Sequence, residues 1–178
     1  VCQRAKTAGV EQIVFGSGGS RSIPDDFDPS IGHAQLLSFG SMVGEAAREA
    51  DVVIVLEPLN VTECNVLTTV GECAEFVARV DHPNFRLLVD AYHLLHDGDA
   101  LEDIVAAAEW LAHVHIATMP SRLAPAAEPC DLDPFFKALA DAGYAGRVSI
   151  EAHLSDPEQE LAPAIAAMKA LARDARAG

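Results

Sequence analysis

Short, continuous apolar runs alternate with stretches of helical spacing along the whole chain. EQIVFGSG (11–18) predicts a buried strand running into a Gly/Ser turn, and apolar positions recur at helical spacing from Gly32 to Ala50. VVIVLEP (52–58) predicts a second strand, and a helix follows through Val70 to Val80. FRLLVD (85–90) predicts the third strand, with a helix from about Ala100 to Leu111 behind it. HVHIAT (113–118) is the fourth, followed by a helix over DPFFKALADAG (133–143) that closes on a Gly stop signal. RVSIEA (147–152) is the fifth, and the Ala-rich stretch from Pro157 to Ala175 predicts the last helix. The opening VCQRAKTAGV reads as the end of a helix leading into the first strand. Continuous apolar strands, rather than alternating ones, indicate a parallel sheet covered on both faces. Repeated βα units indicate an α/β fold.

Four of these strands finish on a group able to bind a cation. Glu57 ends VVIVLE, Asp90 ends RLLVD, His115 lies in HVHI and Glu151 ends VSIE. Parallel strands bring such residues to one rim of a sheet. Carboxylate and imidazole form a hard-to-borderline ligand set suited to Mn²⁺, Mg²⁺ or Co²⁺. In a (β/α)₈ barrel the chemistry sits at that carboxyl-terminal rim. A five-stranded doubly wound domain is the alternative, but there ligands gather at one switch point. Ligands on four consecutive strands fit a barrel segment better. A closed barrel takes about 250 residues and eight strands. The expectation is therefore a partial barrel, one domain over 1–178.

Composition narrows the partners. The 178 residues are 50% hydrophobic, enough for one domain with a real core. A formal net charge of −15 argues against nucleic acid, which requires Lys and Arg to neutralise phosphates. An anionic sugar phosphate stays open, since a small local cluster of positive groups suffices. No apolar run reaches the roughly 20 residues that span a bilayer, and no signal peptide is recognised. Cys2, Cys64, Cys73 and Cys130 lie far apart with no C-x-x-C spacing. That pattern predicts reduced thiols in a cytoplasmic protein without a structural zinc site.

Several pieces together resemble a known family, the xylose-isomerase-like TIM-barrel sugar isomerases and epimerases, with their ketose 3-epimerase and hydroxypyruvate isomerase groups. The pieces are FGSG with the following Arg21, LEPLN (56–60), Glu63 to Asn65, LLVDAYH (87–93), HVHIA (113–117), Arg122 and GYAGRVSIE (143–151). They cover the chain from Gly9 to about Leu154 in the family's order. The resemblance implies that Glu57, Asp90, His115 and Glu151 hold one divalent metal, most often Mn²⁺, with Mg²⁺ or Co²⁺ as alternatives. It implies that Glu57 and Glu151 are also the acid/base pair, and that Glu63, His93 and Arg122 contact substrate. It further implies that the chain corresponds to strands 4 to 8, the last five βα units, with three more expected before Val1. One departure is LAPAAEPCDLD (123–133), where the family usually has a Pro-Gly-x-Gly-like loop.

Each residue also has a plainer reading. A carboxylate closing an apolar strand is costly without a partner, so two of them favour a shared cation over solvated strand-end acids. Asp90 could cap the next turn instead. His113 and His115 share one strand face because side chains alternate. His115 takes the ligand role by its match to the family, and His113 is left to packing or support of the site. Arg122 could hold substrate oxygens with its fork or be a solvated loop residue. Glu63, Asn60 and Asn65 could equally be turn residues. His33, His82, His96 and His153 are read as surface or loop residues. The run Gly16-Ser17-Gly18-Gly19 lacks the Lys-Ser/Thr of a phosphate loop and reads as a tight βα turn. Trp110, Phe135 and Phe136 are read as core.

The function expected is a metal-dependent isomerase or epimerase of a small ketose or hydroxy-carbonyl sugar. It would work through a metal-stabilised enediolate with two Glu acid/bases. The alternatives are a polyol dehydratase (a lyase), an AP-endonuclease-like hydrolase on the same fold, and a truncated, non-catalytic fragment. Open sheet edges predict a chain that self-associates, as a homo-oligomer or by edge pairing, or is marginally stable. The partner expected is a small sugar, with neither nucleic acid nor membrane.

Overall fold

The computed structural model describes residues 1–177 and divides into two compact units, Val1–Leu88 and the chain from Val89 onward. The boundary falls inside the third strand. Within each unit, all strand pairs with assigned register are parallel. This is the parallel α/β architecture that the apolar runs predict.

The first unit contains helix α1 (Cys2–Thr7), strand β1 (Gln12–Phe15), the short helix α2 (Gly18–Arg21) and the long helix α3 (Pro29–Ala50). Strand β2 (Val53–Leu56), helix α4 (Val70–Val80) and the start of β3 (Phe85–Asp90) complete it. The register runs from Gln12↔Val53 to Phe15↔Leu56 and from Ile54↔Phe85 to Leu56↔Leu87. Val55, Leu56, Phe85 and Leu87 are fully buried, which is why these strands read as unbroken apolar runs. Asp28 caps α3 by accepting from the Ser30 amide at 2.8 Å, with Pro29 in the first turn. Thr69 caps α4 by accepting from the Glu72 amide at 3.1 Å, while Glu72 accepts from the Thr68 amide at 2.8 Å. The two helices pack closely at Gly40, where a Cβ would lie 2.7 Å from Val80 Cγ2.

The second unit contains the end of β3, helices α5 (Ala91–Asp97) and α6 (Glu102–Ala106), and strand β4 (Leu111–Ile116). Helix α7 (Asp133–Asp141), strand β5 (Val148–Ile150) and helix α8 (Pro157–Ala177) follow. Strands β4 and β5 pair in parallel with His115↔Ser149. Here the structure corrects one expectation. A single helix over about 100–111 is replaced by α5 directly after β3 and the five-residue α6. Asp90 supplies the reason, since its side chain accepts from the Tyr92 amide and starts a helix that Gly98 stops at φ 72°. Trp110 is only half-buried just before β4 rather than core, whereas Phe135 and Phe136 are buried in α7. Among the described residues, no helix is long and apolar enough to cross a membrane.

Candidate metal centre

In the first unit, Glu57 directly follows β2 and is 3% exposed. Its amide donates to Phe15 O at 3.2 Å, continuing the β1–β2 pairing by one residue. Arg21 fastens this strand end. Its Nη2 donates to Glu57 O at 2.7 Å and Leu67 O at 3.2 Å, and its Nη1 donates to Phe15 O at 3.1 Å. A guanidinium that is 2% exposed thus gives up its hydration for main-chain carbonyls from three segments. Gly16 leaves room for the acid, because a Cβ there would lie 1.9 Å from Glu57 Oε2. The Gly/Ser run is therefore a tight βα turn leading into α2, as its missing Lys-Ser/Thr indicated.

The loop after β2 holds Glu63 and both asparagines. Asn60 is buried, donates to Glu63 Oε1 at 3.1 Å and accepts from the Thr62 amide at 3.0 Å. Asn65 accepts from the Ile23 amide at 2.9 Å and donates to Ile23 O at 2.7 Å. Asn60 and Asn65 thus behave as loop-building residues, and Glu63 is exposed beside them.

The second unit brings three of the four strand-end groups together. One ligand atom from each of Asp90, His115 and Glu151 lies within 4.8 Å of the other two. Asp90 caps α5 and also faces the cluster: Oδ1 accepts from the Tyr92 amide at 2.7 Å, while Oδ2 lies 3.9 Å from His93 Nε2 and 3.7 Å from Arg122 Nη2. His115 Nδ1 lies 3.4 Å from Glu151 Oε2. Arg122 Nη2 donates to the same Glu151 oxygen at 2.6 Å, and its guanidinium lies 4.8 Å from the Tyr92 ring centre. His93 is 2% exposed and turns edge-on to Tyr92. His113 meets His115 edge-on at 5.2 Å and reaches Ser149 Oγ at 3.0 Å through Nε2, so it supports the neighbouring ring.

The electrostatics follow from these contacts. The hydrogen bond with His115 is the main reason the Glu151 carboxyl is held down, to about 2. Partial burial opposes the shift, and Arg122 adds to it. Two hard carboxylates and a borderline imidazole fit a divalent first-row or alkaline-earth ion. Glu57, in the first unit, offers a carboxylate of the same kind.

Tyr92 and Glu128 went unnoticed in the sequence. A Tyr two residues past a strand-end Asp is a weak signal, and Glu128 gave none. Glu128 accepts from the Ser121 amide, seven residues before it, at 3.0 Å.

Comparison with known proteins agrees with this architecture. Residues 1–171 match the family model described as xylose isomerase-like TIM barrel. A ketose 3-epimerase from Arthrobacter globiformis is 32% identical over 114 residues, covering 64% of this chain and 39% of the relative. A putative hydroxypyruvate isomerase from Streptomyces coelicolor is 36% identical over 116 residues, 60% of this chain and 42% of the relative. Each match thus spans less than half of the curated relative. The crystal structure of a D-psicose 3-epimerase from Clostridium cellulolyticum H10, solved with D-tagatose, superposes with a TM-score of 0.75 at 25% identity. That superposition covers 99% of this chain and 64% of the other. The chain belongs to the xylose isomerase-like TIM-barrel family.

Proposed function

We propose that this chain carries the metal-binding and acid/base residues of a metal-dependent epimerase or isomerase acting on a small ketose. The observation that carries the reading is the clustering of Asp90, His115 and Glu151 at strand ends with Arg122 bonded to Glu151. Glu57 would be the fourth ligand, and Mn²⁺ the favoured ion from an oxygen-rich donor set with one imidazole. Bound there, a divalent cation supplies Lewis-acid polarisation of a carbonyl oxygen.

The chain's own residues do the rest. Epimerisation next to a carbonyl requires a proton to leave one face of the carbon and another to return on the opposite face. Glu57 and Glu151 are the two carboxylates proposed to exchange those protons. Glu151, held near 2, is a weak base while Arg122 and His115 both engage it. Turning Arg122 toward a sugar hydroxyl removes one of these stabilising contacts and raises the proton affinity of Glu151 Oε2. Arg122, His93 and Glu63 are proposed to orient the sugar. The names of the matched relatives, ketose 3-epimerase and putative hydroxypyruvate isomerase, support this substrate class.

The test is turnover of D-tagatose and D-fructose with Mn²⁺, comparing the wild-type chain with Glu151→Gln. The variant should lose about 10²–10⁴-fold in turnover, the range for a general acid–base group, while still binding Mn²⁺. Full activity in the variant removes the base role.

A further inference from the structure

Arg122 has φ 53°, a left-handed backbone conformation that a non-glycine residue keeps only where its surroundings enforce it. The enforcement comes from a closed turn after β4. The Thr118 amide donates to Leu123 O at 2.8 Å and the Arg122 amide donates to Thr118 O at 3.0 Å. The Leu123 amide donates to Thr118 Oγ1 at 3.1 Å, and the His153 amide donates to Arg122 O at 2.7 Å. Thr118 is wholly buried, so its hydroxyl must be satisfied within the turn.

That hydroxyl has one proton and two candidate acceptors, Leu123 O at 3.2 Å and Glu128 Oε1 at 2.5 Å. The shorter, charge-assisted bond to the carboxylate directs the proton to Glu128. The hydroxyl lone pairs are then left to accept from the Leu123 amide. The same Glu128 oxygen also accepts from the Ser121 amide, the residue just before Arg122. One carboxylate oxygen therefore ties Thr118, where the turn begins, to Ser121, the residue beside the arginine. It comes from the loop that joins β4 to α7.

We propose that Glu128 is a positioning residue for Arg122: it locks the 118–123 turn so that the guanidinium is held against Glu151 and Asp90. Glu128 does not touch these carboxylates and acts only through the turn. The substrate arm of the test rests on the epimerase reading, whereas the spectroscopic arm does not.

The full chain is compared with Glu128→Ala, which removes the acceptor, and with Glu128→Gln, which keeps an oxygen for both donors. The Arg122 Nε–H signal is followed by nitrogen–proton NMR and assigned with Arg122→Lys. Michaelis parameters are measured on D-tagatose with Mn²⁺. In Glu128→Ala the Arg122 signal should move toward that of a solvated arginine and KM should rise about tenfold, the lower end for outer supporting residues, with a smaller change in kcat. Glu128→Gln should stay near wild type in both. Should Glu128→Ala fail to fold, Thr118→Val removes the same bond from the other side and should shift the same signal. An unmoved Arg122 signal in whichever of these folds overturns the proposal, as does a Glu128→Gln variant as impaired as the alanine. If the wild-type chain turns over no ketose, the epimerase reading fails, and the NMR comparison alone still decides the role of Glu128.

Discussion

Arg122 Nη2 donates to Glu151 Oε2 at 2.6 Å and lies 3.7 Å from Asp90 Oδ2, so one guanidinium balances two carboxylates that close different strands. Carboxylates this near each other repel, and the arginine offsets that cost. Its stacking on Tyr92 sets the plane of the fork, and its own turn sets where the fork begins.

This arrangement gives acid sensitivity a definite sign. Glu151 titrates near 2 in the folded chain, against an ordinary value of 4.5. Its contribution to stability is fully present above about 4.5 and is lost as pH falls through the window toward 2. Because the carboxylate is partly solvated, the effect is small. With chelator present, the stability gap between wild type and Glu151→Gln should close as pH drops from 5 to 2. In Arg122→Ala the Glu151 carboxyl carbon, followed by NMR, should titrate at a higher pH. An unchanged midpoint would remove the arginine from the list of causes.

Gly16→Ala separates stability from function. The new Cβ would meet Glu57 Oε2, the far end of a side chain that can swing away. Folding should change little, within about 1 kcal/mol, as for substitutions that create no cavity or buried unpaired charge. Mn²⁺ affinity should fall about 10–100-fold, as when support for a ligand is lost. Denaturant midpoints and metal titration read the two effects independently, and unchanged metal affinity would exclude Glu57 as a ligand.

Arg21 should behave in the opposite way, as a residue the fold cannot lose. Replacing it by Met deprives Glu57 O and Leu67 O of their guanidinium donor. With about 1–3 kcal/mol for each of these two buried groups left unsatisfied, the expected cost is about 2–6 kcal/mol in urea unfolding. Arg21→Lys should fall between the two, because a single ammonium cannot reproduce the fork that spans three carbonyls. A loss below about 0.5 kcal/mol in the Met variant, the size of an ordinary surface substitution, would show that the clamp is not structural.

Much of the architecture was legible before any coordinates. Helix α4 begins and ends at Val70 and Val80 as its spacing predicts, and β3 closes on Asp90 as FRLLVD implies. The spacing predicts one helix over about 100–111 and none over 91–97, because a short helix capped by Asp90 and stopped by Gly98 carries too few turns to show a period. Asp90 had two readings that looked exclusive. One of its oxygens caps α5, and the other faces Arg122 and His93.

The sequence by itself determined the order of strands and helices and the acid or imidazole near the end of four of the five strands. A strand buried on both faces must be written as an unbroken apolar run, and the first polar residue marks where it reaches the rim. Tertiary structure alone decided that Arg122 pairs with Glu151, that Gly16 makes room for Glu57, and that Glu128 braces a turn several residues away. Those relationships are distances through space between residues set by loop conformation, including a left-handed arginine, and no local periodicity encodes them.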